Sequence, residues 1–134
     1  MTVGFNHLGQ LGQLGNQMFQ YAITKSVASK LNVPFKIPNH QNVFDDGIGN
    51  RYTILLFDIF KLESLINFGF VDTQKYIQER HFHYDKTIFD TSPQEDFSLW
   101  GFFQSEKYFK DIENDIRDDF KFKDELVSSC QSII

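Results

Sequence analysis

The sequence predicts an α/β protein: a Rossmann-like parallel sheet with flanking helices. Three observations lead there. A short apolar strand over residues 2–5 runs through a glycine-spaced loop into a helix, and a second strand follows that helix closely. Much later, a strongly aromatic strand runs straight into a second helix. Strand–helix–strand order implies a crossover connection, which is right-handed and sets its two strands parallel.

The elements follow in order. Over 17–31 the apolar residues Phe19, Ile23, Val27 and Leu31 recur every four positions, with Met18 and Ala22 beside them, which predicts a helix burying one face. Asn16 is its N-cap candidate, Lys25, Ser26, Ser29 and Lys30 take its polar side, and Gln17 and Gln20 fall on its surface or orient neighbours. Tyr21 reads as packing. Asn32 breaks the helix, and residues 33–37 alternate as a second strand in which Pro34 suits only a start or an edge. Residues 40–50, with Asp45, Asp46, Gly47 and Gly49, read as a polar connection. Residues 54–60 read as strand or short helix, and 75–85 as an extended segment carrying Tyr76, Phe82 and Tyr84. Ser92 and Glu95 have capping-box spacing, but the apolar run after them is short. Residues 96–103, with Phe97, Leu99, Trp100, Phe102 and Phe103, form a buried strand in which Gly101 permits close backbone approach. Gln104 and Ser105 then open a helix to about residue 120. Phe109, Ile112, Ile116 and Phe120 form its inward stripe, and Asp111, Glu113, Asp115, Asp118 and Asp119 its solvent face. Residues 124–134 end on an apolar, uncapped stretch that reads as a chain interrupted before its next strand.

Size and charge bound the function. A chain of 134 residues predicts one domain over 1–134, burying about two thirds of its unfolded surface. Hydrophobic content of 41% and 16 phenylalanines supply a core and argue against disorder. The net charge of −5, with arginine only at 51, 80 and 117, argues against non-specific nucleic-acid binding. The single cysteine, Cys130, has no internal disulfide partner and reads as a small apolar filler. The first residues lack a signal-peptide pattern, and no apolar run approaches the ~18 residues of a membrane span. The expectation is a soluble cytoplasmic chain, with peripheral membrane association left open.

Chemistry concentrates at two junctions. Glycines 9, 12 and 15 are spaced G-x-x-G-x-x-G, which is neither the dinucleotide fingerprint nor a P-loop. The amides around Gly15, Asn16 and Gln17 suit approach to a phosphate or sugar; Asn16 either caps the helix or faces the ligand. Downstream, Ser105 is an N-cap candidate, Glu106 suits the positive end of the helix dipole, and Lys107 is either solvated or an acceptor contact. A parallel sheet places its ligand crevice at the carboxyl ends of its strands, where both junctions belong. His7 beside the loop is an exposed histidine or a base near a bound sugar. His81 and His83 share a strand face but have no third ligand, so no metal site is expected. Asp45-Asp46-Gly47 lacks the further ligands of a calcium loop, and Asp-x-Asp occurs nowhere.

The words at these junctions are more specific than their spacing. Gly15-Asn16-Gln17-Met18-Phe19-Gln20-Tyr21-Ala22 resembles the N-terminal signature of the α-1,2-fucosyltransferases, glycosyltransferase family 11. Leu99-Trp100-Gly101-Phe102-Phe103-Gln104-Ser105-Glu106-Lys107-Tyr108-Phe109 is similar to that family's Gly-Tyr-aromatic-Gln-Ser-Glu-Lys-Tyr-Phe segment, with Phe102 in place of tyrosine. Weaker echoes lie at Arg51-Tyr52 and over 79–85, so the resemblance runs in order over about 2–122. It implies a GT-B-like enzyme of two Rossmann-like halves that moves L-fucose from GDP-fucose to a galactoside 2-hydroxyl, inverting and metal-independent. The first half would lean toward the acceptor. Gly15, Asn16, Gln17, Gln104, Ser105, Glu106 and Lys107 would be substrate-binding, and no residue is marked as the catalytic base. The family's donor signature, His-x-Arg-Arg-Gly-Asp-Tyr, is absent, and no Arg-Arg pair occurs. The chain therefore reads as an N-terminal half that has negligible transferase activity alone and associates with a separate C-terminal half. A carbohydrate-binding module and a purely structural α/β domain are the alternatives.

Overall fold

The structure is a computed structural model and describes residues 1–8, 14–38, 43–45, 51–53, 56, 60, 67–80, 83–90 and 95–122. In chain order its elements are β1 (Val3–Gly4), α1 (Leu14–Leu31), β2 (Phe35–Ile37), β3 (Val43–Asp45), β4 (Arg51–Thr53), β5 (Asn67–Phe68) and β6 (Tyr76–Gln78). A 3₁₀ turn (Lys86–Asp90), β7 (Phe97–Trp100), a 3₁₀ segment (Glu106–Ile112) and α2 (Glu113–Asp119) complete it. Five strands form one sheet in the order β5-β2-β1-β7-β6, and every pairing in it is parallel. This is the α/β, Rossmann-like architecture that the strand–helix–strand order predicts.

Register assigns the two faces. Val3 pairs with Phe35 on one side and Phe97 on the other, while Gly4 pairs with Lys36 and Ser98. The Phe35 ring lies 6.0 Å from that of Tyr21 on α1, so the Val3 row faces the helix. Alternation puts Gly4 and Ser98, with Tyr76 level with Ser98 and Gln78 level with Trp100, on the opposite face. There Val71 sits directly over Gly4: a Cβ at residue 4 would lie 2.3 Å from Val71 Cγ2.

α1 is more deeply sunk than a one-faced helix. Ile23, Val27, Tyr21 and Ala22 are buried, and so are Gln17, Gln20, Thr24 and Ser26. Thr24 and Ser26 stay inside because they are bonded: Thr24 Oγ1 donates to the Gln20 carbonyl at 2.7 Å, and Ser26 Oγ to the Tyr108 carbonyl at 2.6 Å. Gln17 and Gln20 on the surface and Ser26 on a polar side are thus corrected. The helix starts at Leu14, so Gly15 and Asn16 lie in its first turn, and Asn16 is not the residue that precedes it. Asn32 does end it, at φ 56°, with Val33 N bonded to the Ala28 carbonyl and Asn32 N to that of Ser29, a Schellman closure.

Two further expectations change. Within the expected connection over 40–50, residues 43–45 form β3, which pairs antiparallel with β4, while 40–42 and 46–50 lie outside the described residues. The single helix expected from 104 to 120 is a 3₁₀ segment followed by α2, with non-helical backbone at Phe109 (φ −125°, ψ 22°). Ser105 does cap it, its side chain accepting from Lys107 N at 3.3 Å. Tyr108 becomes the deepest residue of the segment, and Asp119, expected in solvent, is 6% exposed. Its carboxylate accepts from the Tyr21 hydroxyl at 2.7 Å and from Lys25 Nζ at 2.5 Å.

Candidate functional site

β1 has β2 on one side, reached through α1, and β7 on the other, reached only after the rest of the sheet is built. The strand order therefore reverses between β1 and β7. The carboxyl ends of such a pair splay their loops apart and open a crevice.

The β1 side of this crevice is held by Asn6. Its backbone N–H donates to Ser98 Oγ at 2.9 Å, and its amide exchanges two 2.8 Å hydrogen bonds with the Val71 backbone. That clamp presents His7. The imidazole centroid lies 4.4 Å from the Trp100 ring, near-perpendicular to it, and 5.6 Å from the Tyr76 ring. His7 Nδ1 is buried and has no hydrogen-bond partner among the described residues.

The β7 side is held by Glu79. Gly101 adopts φ +145°, and a Cβ there would lie 2.5 Å from that of Glu79, so only glycine fits. The turn this permits aims the Phe102 and Phe103 amides at the Glu79 carboxylate, which accepts both, at 3.0 and 2.9 Å. Phe103, held at φ 52°, then drops its ring edge-on to Phe5 and Tyr108.

α1 supplies the third wall. Gln20 Nε2 donates to the Gly101 carbonyl at 3.2 Å, and its Oε1, buried beside that contact, has no partner among the described residues. One turn earlier Asn16 Oδ1 accepts from Gln104 Nε2. The two buried orphan atoms thus flank one short backbone stretch at the end of β7. Buried polar atoms without partners are rare and each costs about 1–3 kcal/mol.

Of the residues expected to bind substrate, Asn16 and Gln104 meet directly, and Gly15 is beside them, exposed and in open space. Gln17 points inward and is buried. Ser105 is committed to its cap, and Glu106 is exposed. Lys107 turns away: its ammonium sits 5.9 Å above the Tyr84 ring, on a separate cleft of about 530 Å³ shared with Ser26, Ser29 and Lys30 near the far end of α1. Residue-type reasoning passed over Gln20, Glu79, Trp100 and Tyr76 as site residues. Gln20 lies within the Gly15-to-Ala22 word, and Glu79 opens the weaker echo at 79–85.

The groups around the end of β7 are amides, an imidazole and two rings, and neither a lysine nor an arginine is among those named there. That set suits a neutral, hydroxyl-rich ligand better than a diphosphate, which takes arginine forks or lysines. Among the described residues no three histidine, cysteine or carboxylate groups converge as a metal site. His83 is exposed, while His81, Cys130 and residues 9–13 lie outside the described set. No described helix is long and apolar enough to cross a membrane. Compared with known proteins, the chain matches no family model, no curated protein and no solved structure.

Proposed function

We propose that this chain is the acceptor-side half of a fucosyltransferase that transfers L-fucose from GDP-fucose to a galactose-containing glycan. One observation carries the reading. The Asn16–Gln104 hydrogen bond joins the two segments that resemble the α-1,2-fucosyltransferases, across 88 positions of sequence, in the connections that follow the neighbouring strands β1 and β7. Two words of one family signature that meet beyond the carboxyl ends of neighbouring strands are what a shared substrate surface requires.

In this reading Asn16 and Gln104 orient the acceptor's hydroxyls, and their mutual bond fixes both side chains before the ligand arrives. On the same reading the diphosphate grip lies elsewhere, since the sequence has no Arg-Arg pair and no arginine stands among the described residues named at the end of β7. Transfer then needs a second, arginine-bearing half to stabilise the leaving GDP.

Ligand-observed NMR on the purified chain tests this, with lactose and GDP as separate probes. Saturation transfer to lactose and none to GDP is expected, together with no fucose transfer from GDP-fucose to lactose by the chain alone. Binding of GDP without lactose, or of neither, overturns the acceptor-side reading.

A further inference from the structure

We infer that His7, Trp100 and Tyr76 form a pyranoside platform, on which the sugar ring lies against the aromatic side chains while a hydroxyl bonds to the His7 imidazole. The inference deepens the acceptor-side reading and rests on it only for which sugar is bound. Three observations place the platform. Trp100 and Tyr76 come from neighbouring strands on the sheet face opposite α1, where Tyr76 is 42% exposed and Trp100 half-buried. His7 lies against both rings at the carboxyl edge, where the strand order reverses. Its Nδ1 is buried without a partner among the described residues, although Asn6 next to it satisfies its own amide twice over.

The chemistry of a pyranose fits this arrangement. Its C–H face is apolar and prefers an aromatic surface, while its rim of hydroxyls needs donors and acceptors. A histidine kept half-desolvated is costly for the empty chain and becomes favourable when a hydroxyl reaches the imidazole. Packing alone has no use for that nitrogen: a phenylalanine in its place would stack on Trp100 and Tyr76 without an orphan atom.

Trp100 is the only tryptophan, so its indole N–H gives a single resonance in a ¹⁵N correlation spectrum. Methyl β-galactopyranoside, methyl β-glucopyranoside and methyl α-mannopyranoside are titrated to millimolar concentration into the wild-type chain and His7→Phe. The platform predicts a shift of the Trp100 indole and His7 ring resonances with the galactoside. It also predicts binding weakened about tenfold or more in His7→Phe, the loss of one ligand hydrogen bond. The melting temperature of that variant should stay level or rise by a few degrees. Galactoside binding by saturation transfer with an unmoved indole, or with unchanged affinity in His7→Phe, overturns the platform and leaves the acceptor-side reading standing. A shift with the glucoside or mannoside alone keeps the platform and overturns that reading; no response to any sugar overturns both. If His7→Phe unfolds, the nitrogen is needed for structure, which also counts against the platform, and the wild-type indole shift still decides whether a sugar lies on the rings.

Discussion

Two sets of buried polar groups, one where α1 meets α2 and one around the end of β7, are finished differently. Where α1 meets α2, the Asp119 carboxylate takes the Tyr21 hydroxyl and the Lys25 ammonium, and the Phe35 and Phe120 rings close around Tyr21 at 6.0 and 5.5 Å. Burial, reinforced by the hydrogen bond to Asp119 and its charge, pushes the Tyr21 hydroxyl far above the usual tyrosine range. One residue before Tyr21, Gln20 Oε1 is buried and unanswered among the described residues, and so is His7 Nδ1, which lies against Trp100 at the end of β7. A cluster whose groups satisfy one another fastens elements together. A cluster left open gives up stability and keeps hydrogen-bonding capacity in reserve, the usual trade at binding sites.

The sharpest way to break this contrast is Asp119→Ala. It strips the Tyr21 hydroxyl and Lys25 of their shared acceptor, and because Lys25 is still partly solvated the cost should be about 3 kcal/mol, read by urea denaturation. A loss under about 1 kcal/mol would mean that the junction does not fasten α2 to α1.

The next effect is a pH dependence. The folded chain holds the Tyr21 proton where the unfolded chain releases it, near pH 10. Below that value both states are protonated and stability is level. Above it the unfolded state binds fewer protons, so stability should fall with rising pH, by at most about 1.4 kcal/mol per unit for one group. Tyr108, whose hydroxyl is also pushed up chiefly by burial, adds to the same limb. Tyr21→Phe should flatten it, and denaturation midpoints on either side of pH 10 measure both.

The smallest stability effect belongs to the Asn16–Gln104 bond. Gln104 is exposed, so Gln104→Ala should cost no more than about 0.5 kcal/mol. The same change should abolish lactose saturation transfer. A large stability loss with binding intact would make the Asn16–Gln104 bond a fastening like Asp119, and the contrast would collapse.

Elements with a strong local cause were legible before any coordinates. The four-residue apolar repeat placed α1, Asn32 ended it, the aromatic run marked β7, and Ser105 stood at its cap. Gly101 was singled out as a point of close approach, which its Cβ distance to Glu79 bears out. Other elements stayed hidden because their causes are remote. β5 is two residues that exist as a strand only against β2, and the break at Phe109 interrupts an apolar stripe that local periodicity continues. Asp119 looked like surface because an acidic side chain is buried only when partners come to it, and here they come from 94 and 98 positions away.

The site divides along the same line. Asn16 and Gln104 stood out as words in the sequence, and a parallel sheet implied that both belong at strand ends. That they bond to each other, that Lys107 turns to another cleft, and that His7 is pinned between Trp100 and Tyr76 follow from register and strand order. Helix and cap preferences act over a few neighbouring residues, so a linear pattern records them. Contacts across the sheet arise only when β1, β6 and β7 pair, and no local stretch encodes which side chains that pairing brings together.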